Sequence, residues 1–427
     1  MATHTALHTR TRALSVVGVV AMLCLSVAAC GTGGSSGGIT GGPGVNISGK
    51  TISLGVLTPL SGPVAAPIGL PLTKGEETYF KSINAKGGID GFKINLVERD
   101  SKYDPATEVE QYNAIKGTVA MFAQSLGTPT TQAIAPLTHT DKILVTVAGQ
   151  DSYLAREPYL ILAATPYRLQ VENAFDYVVN QLHVQNPKTA ILYQDDGYGQ
   201  DGLTGYKEAV SFYHLDDVAQ ATYEATDTTA QQFAPAVLKI KASGAKYVFL
   251  TSTPIPTALI IGTAHALGYD PQWILQSPAF ATGLMATPVA PLLQAEAWLM
   301  GNGGALWGDT TQPGMQQMLN DIQTYAPGQQ PDYFFQAGYT LGWITAAIIK
   351  KAADSKDLSR AGFVKAFNNI GTIDTGGLAP SLTYGSSPNQ RVPLRDDRIF
   401  AIDPSQPGDI KPIVNDFTGA AAQASQF

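Results

Sequence analysis

From residue 51 to residue 276, short apolar blocks of strand length alternate with longer stretches spaced for helices. "TISLGVL" is the first block, followed by "KGEETYFKSINA" with apolar residues at helical intervals. "KINLVERD" comes next, and then "DPATEVEQYNAI", which opens on Asp104 and Pro105, a good helix start. "VAMFAQ", "KILVTVA", "YLILAA", "TAILYQ", "VAQATYEA", "AKYVFLTS" and "PQWILQS" continue the strand series, with helices expected between them. Strands alternating with helices predict an α/β fold with parallel sheets covered on both faces. So many strands exceed one ordinary sheet, so two α/β lobes are expected.

The last third has a different texture. "GMQQMLNDIQTYA", "DYFFQAGYTLGWITAAIIKKAA" and "SRAGFVKAFNNI" read as three successive helices. "APSLTYG" and "DRIFAIDP" read as a closing strand pair. "LGWITAAII" is too short to span a bilayer and reads as a buried helix.

The first residues are patterned differently. Arg10 and Arg12 precede an uncharged, mostly apolar stretch, Ala13 to Ala29, the order of a secretory signal. Ala28-Ala29-Cys30-Gly31 resembles a bacterial lipobox, which implies cleavage of residues 1–29 and lipid attachment to Cys30. Residues 30–49, rich in Gly and Ser, are expected to be a flexible tether. Cys24 and Cys30 are the chain's only cysteines, so the expected mature chain has no disulfide. Its 44% apolar content is enough for a hydrophobic core. The formal charge is −7, or −9 without Arg10 and Arg12, and there is no basic stripe for nucleic acid.

"ILYQDDGYGQDG" contains Gly197, Gly199 and Gly202 in the G-x-G-x-x-G spacing of a dinucleotide-binding turn, with Glu224 further on. Asp195, Asp196 and Asp201 crowd that turn, and a pyrophosphate there would face carboxylates. It reads better as a strand-to-helix turn on the lip of a cleft. The six histidines show no metal-ligand pairing, and neither a G-x-S-x-G elbow nor a P-loop occurs. No metal, cofactor or catalytic residue is expected.

"ISLGVLTPLSGPVA", "INAKGGIDGFKINLVERDSKYDP", "ILYQDDGYGQDG" and "DTTAQQFAPAVLKIKASGAKYVFL", in that order, resemble the periplasmic solute-binding proteins of the Leu/Ile/Val type that serve ABC importers. The resemblance spans roughly residues 51 to 405. It implies a two-lobed type I periplasmic-binding-protein fold: two doubly wound parallel sheets joined by a three-crossing hinge, with ligand held between closing lobes. Lobe 1 is expected over 50–167 plus 302–375, and lobe 2 over 168–301 plus 376–427. It further implies a monomer, tethered through Cys30 to the outer face of the cell membrane, that delivers a small molecule to a permease. A sensor module of the same fold and an exported NAD-dependent enzyme are the competing readings.

Thr128 is expected to N-cap a helix with Pro129 at its first position, leaving the amides of Thr130 and Thr131 free for a carboxylate. By resemblance, Thr128, Ala148, Gln150 and Tyr198 contact the ligand. The family's first-lobe aromatic aligns near Ile68, and its second-lobe tyrosine near Thr253. The acid that pairs with an amino-acid ammonium is missing near Pro278, with Asp195, Asp196 or Asp227 as stand-ins. An amino acid, a carboxylate or an amide with an apolar body is the expected ligand.

Overall fold

In the computed structural model, which describes residues 38–427, the first apolar block forms the strand Thr51–Thr58. Ile52, Leu54 and Val56 point to one face of the sheet and Leu57 to the other, all fully buried. Five parallel strands run in the order Lys93–Asp100, Thr51–Thr58, Phe122–Ser125, Val145–Val147, Leu160–Ile161. One face is covered by Leu70–Ala85 and Tyr333–Asp354, through Tyr79, Phe80, Phe335 and Ile344. Pro105–Ile115 and Thr128–Asp141 cover the other, through Tyr112 and Ile134. Asp104 caps its helix by accepting the Thr107 N–H at 2.7 Å, with Pro105 in the first turn.

The second sheet repeats this winding. Asp216–Tyr223, Lys188–Gln194, Tyr247–Thr251, Gln272–Leu275 and Ala297–Gly301 are parallel neighbours in that order. Val171, Phe175 and Tyr206 cover one face, and Phe233, Val237 and Ile260 the other. Both sheets therefore reverse direction beside their first strand. In open α/β sheets the carboxyl ends at that reversal are where ligands sit. The two switch points lie at Thr58 and Ser125 in one sheet, and at Gln194 and Thr251 in the other.

Several expectations need correction. "APSLTYG" and "DRIFAIDP" do not pair: Leu382–Thr383 joins Thr372–Ile373, whereas Asp397–Ile402 lies antiparallel to Ala297–Gly301 in the second sheet. Ile410–Phe417 adds a further antiparallel edge strand. Leu378, Leu382, Tyr384 and Leu394 pack in the core of the first sheet, beyond the 375–376 boundary expected for lobe 1. Part of the expected tether is also structured. Thr40–Gly41 pairs with Asp357–Leu358, and Val45–Asn46 with Thr51–Ile52, because both segments satisfy their backbone groups on existing strands. The expected signal, Cys30 and the first part of the tether lie outside the described residues. Among those described, no helix is long and apolar enough to cross a membrane.

Candidate ligand-binding site

The helix Thr128–Asp141 starts one residue earlier than expected. Gly127 is its cap, at φ 110°, and Thr128 is already helical. Glycine suits this place because of its positive φ, and because a Cβ would stand 2.6 Å from the Tyr103 ring. No side chain caps this helix, and the Thr130 hydroxyl instead donates back to the carbonyls of Leu126 at 2.8 Å and Gly127 at 3.0 Å. Thr130 is thus turned inward and does not line the cleft. Thr128 does: its side chain is 2% exposed and its hydroxyl has no hydrogen-bond partner. A buried, unpaired hydroxyl at a helix N-terminus is a prepared site for an acceptor group.

Thr128 stands in the wall of a cavity of about 170 Å³ between the two sheets, part of it open to solvent. Ile68, Ala148, Gln150, Tyr198, Thr253 and Pro278 line the same cavity, so seven of the eight anticipated positions meet there. Their polar atoms are largely engaged. The Gln150 Oε1 accepts the N–H groups of Ala163 and Ala164, both at 3.0 Å, and its Nε2 donates to the Val147 carbonyl. Gln150 therefore braces the first crossing and presents mainly its stem. The Ala148 N–H donates to the Ser125 carbonyl at 2.9 Å. The Tyr198 hydroxyl donates to the Ser252 carbonyl at 3.0 Å, and its ring meets Tyr167 edge to face at 4.7 Å. Burial pushes the Tyr198 phenol well up, so it offers a ring and not a charge.

The glycine motif lies beside this cavity and packs tightly. A Cβ on Gly197 would come within 2.2 Å of the Gln132 side chain across the cleft, and one on Gly199 within 1.8 Å of the Gln194 carbonyl oxygen. Asp196 takes the first amides of the helix Gly197–Tyr213, accepting from Tyr198 at 2.9 Å and Gly199 at 3.2 Å. The place of a pyrophosphate is thus filled by the chain's own carboxylate. Glu224 is exposed, and its N–H is held by Asp227. Asp195, Asp196 and Asp227 are not among the cavity-lining residues, so none of the stand-ins replaces the acid missing near Pro278.

The two lobes touch across the cleft. Gln194 Nε2 donates to the Tyr103 hydroxyl at 3.4 Å. Asp201 accepts the N–H groups of Ser152 and Arg168, each at 3.0 Å, as well as the Ser152 hydroxyl. Asp151, on the adjoining loop, accepts from Gln132. Burial first, and then the charge of Asp201, raises Asp151 well above the usual carboxylate range.

Trp307, Phe334, Leu341, Phe400 and Ile410, also in the wall, were not anticipated. They arrive with the later crossings and with the start of the helix Tyr333–Asp354. The one available signal was "DYFF", more aromatic than a core stripe requires. The ionisable acid and base in the wall are both engaged. Arg398 pairs with Asp416, two bonds at 2.8 Å, and Asp332 caps its helix through the Phe335 N–H at 2.8 Å.

A family profile described as periplasmic binding protein matches residues 51–403. The chain belongs to that family. The Leu/Ile/Val-binding protein homolog 3 of Brucella melitensis is 28% identical over 223 residues, covering 51% of this chain and 58% of the relative. The match thus spans little more than half of that curated relative. The fatty acid ABC transporter substrate-binding protein of Thermomonospora curvata superposes with a TM-score of 0.83 at 25% identity, covering 91% of this chain and 97% of that one. A branched chain amino acid ABC transporter structure from Thermus thermophilus with bound valine gives a TM-score of 0.75 at 18% identity, over 87% and 98% of the two chains, a likeness of fold. The fold is that of the type I periplasmic binding proteins.

Proposed function

We propose that this chain is an extracytoplasmic solute-binding protein that captures a small polar-headed solute, an amino acid or a related carboxylate or amide, and delivers it to an ABC importer. The observation that carries this reading is the buried, unpartnered hydroxyl of Thr128, a residue at a helix N-terminus in the wall of a largely apolar cavity between two lobes. The ligand's polar head takes the Thr128 end, and its body packs on Ile68, Tyr198, Thr253 and Pro278. The printed names of the relatives, Leu/Ile/Val-binding and fatty acid substrate-binding, support a ligand of this kind. In this reading a lipid on Cys30 holds the monomer at the outer face of the membrane, and the permease recognises the closed lobes. The body of the chain, Gly38–Phe427, is a compact unit and is the material to test. Ligand bound to the cleft alone raises the melting temperature, by RT ln(1+[L]/Kd) in free energy. A thermal-shift panel of amino acids, aliphatic and aromatic acids, amides, polyols and nucleotides is expected to show stabilisation by one class among the first three. Stabilisation by nucleotides alone, or by nothing, refutes the reading.

A further inference from the structure

The acid missing near Pro278 has a counterpart on the other lobe. Asp332 stands at the start of the helix Tyr333–Asp354, which covers the first sheet. It lines the main cavity together with Thr128, Ile68 and Pro278. Its engagement is one-sided. One oxygen accepts the Phe335 N–H at 2.8 Å as a helix cap, and the other is free. Burial raises its pKa against the pull of the Phe335 and Phe334 amides, the sign of a carboxylate that has lost water and gained no cation.

Arg398, the base among the lining residues, brings no relief. Asp416 takes its Nε and Nη2 at 2.8 Å each, and the Gly304 carbonyl accepts from its Nη1 at 3.1 Å. The wall therefore carries a negative charge that the described residues leave uncompensated. On its far side Asp332 borders a space of about 10 Å³, room for about one water. A larger partner for the free oxygen has to come from the main cavity. Thr128 has the opposite character. It stands at a helix N-terminus, which favours an anion or a carbonyl, and its own hydroxyl is unpartnered. A plain carboxylate answers Thr128 but brings a second anion into a cavity that already holds one. A solute that also carries an ammonium answers both.

Resting on the solute-binding reading above, we infer that Asp332 is the specificity-determining residue of this site: its free oxygen pairs with a protonated amine, and the solute is an amino-bearing carboxylate or amide rather than its deaminated counterpart. The counter-ion then comes from the first lobe, not from the second-lobe position near Pro278.

The test is calorimetric titration of Gly38–Phe427, freed of copurified small molecules, with matched pairs that differ only in the amine. The pairs are norleucine and hexanoate, phenylalanine and 3-phenylpropanoate, and leucinamide and 4-methylpentanamide. 6-Aminohexanoate is run beside the first pair, because it carries its amine at the other end of the chain. In the pair that binds, the amino member is expected to be tighter by about tenfold or more, the worth of a charged hydrogen bond. Asp332→Asn keeps a capping oxygen and removes the charge, so it should abolish this preference and leave the deaminated member unchanged or tighter. Asp332→Ser, another good cap, should do the same if the first variant does not fold. A purely structural role would weaken both members alike, and that result overturns the inference. So does a deaminated member that binds as tightly as its partner, or a preference that survives both variants. Each of these leaves the solute-binding reading standing. If neither member of any pair nor 6-aminohexanoate binds, both fall.

Discussion

Glu108 gives the protein a specific acid-side stability. Its side chain is fully buried on the helix Pro105–Ile115. Oε1 accepts from the Ser125 hydroxyl at 2.7 Å, while Oε2 has no partner. Burial pushes its pKa from 4.5 up to about 7, against the opposing pull of the Ser125 bond. Below pH 4.5 the carboxyl is protonated whether the chain is folded or not. Between that point and pH 7 the unfolded chain gives up its proton and the folded chain keeps it, so stability falls as pH rises. Above pH 7 both are ionised and the loss is complete. At about 1.4 kcal/mol per pH unit, the group removes about 3 kcal/mol across that window. Glu108→Gln keeps the acceptor for Ser125 and cannot ionise. Urea unfolding followed by tryptophan fluorescence at steps from pH 4.5 to pH 8 isolates Glu108, because other buried acids act equally in both proteins. The variant should gain on the wild type by about 3 kcal/mol over the range. A difference that stays constant with pH would mean that the carboxylate is accommodated in the folded chain, and would refute the argument.

Thr128→Val removes an unpaired buried hydroxyl, so stability in urea should stay level or rise slightly, while affinity for the cleft ligand drops about tenfold, the worth of one hydrogen bond. Lower stability would show that the hydroxyl serves the fold. Gly199→Ala drives a Cβ onto the Gln194 carbonyl and should cost about 3 kcal/mol, whereas Gly262→Ala, in open space on the helix Pro254–Ala266, should add about 1 kcal/mol. Chemical denaturation of the pair checks this, and equal effects would contradict the close approach. Asp201→Asn weakens the link to Ser152 across the cleft and should shift the unliganded protein toward a larger radius of gyration in X-ray scattering. An unchanged radius would show that this link does not hold the lobes together.

Strands with unbroken apolar blocks, such as Lys188–Gln194 and Tyr247–Thr251, were legible because central strands are buried on both faces. Ala297–Gly301 was not. It follows the short helix Ala290–Glu296 without a break, and only its pairing with Gln272–Leu275 and Asp397–Ile402 makes it a strand. Ile410–Phe417 is half-exposed and carries Pro412, an edge strand whose pattern resembles a loop. The start of the Thr128 helix was misplaced by one residue because a positive φ at Gly127 leaves no mark in the sequence beyond the glycine itself. At the site, the positions at strand ends were readable from the order of the blocks. Phe334, Trp307 and Ile410 were not, because the crossings that deliver them are set by tertiary packing. Gln150 lies in the cavity wall, but its amide is consumed by Ala163 and Ala164, a commitment that only the folded backbone reveals.

The carboxylate of Asp196 on the second lobe's helix has one more consequence. That helix end, the Tyr198 hydroxyl and the Ser277 hydroxyl are all answered from within their own lobe. In the reading proposed above, the second lobe thus brings these groups to the ligand already paired and offers it mainly contour. In that reading, head-group chemistry falls to the first lobe. The second would test only whether the remainder leaves room to shut. Under the proposed function, chemical recognition and closure would then be separate decisions, and a solute of suitable head but excessive bulk would be held without closure.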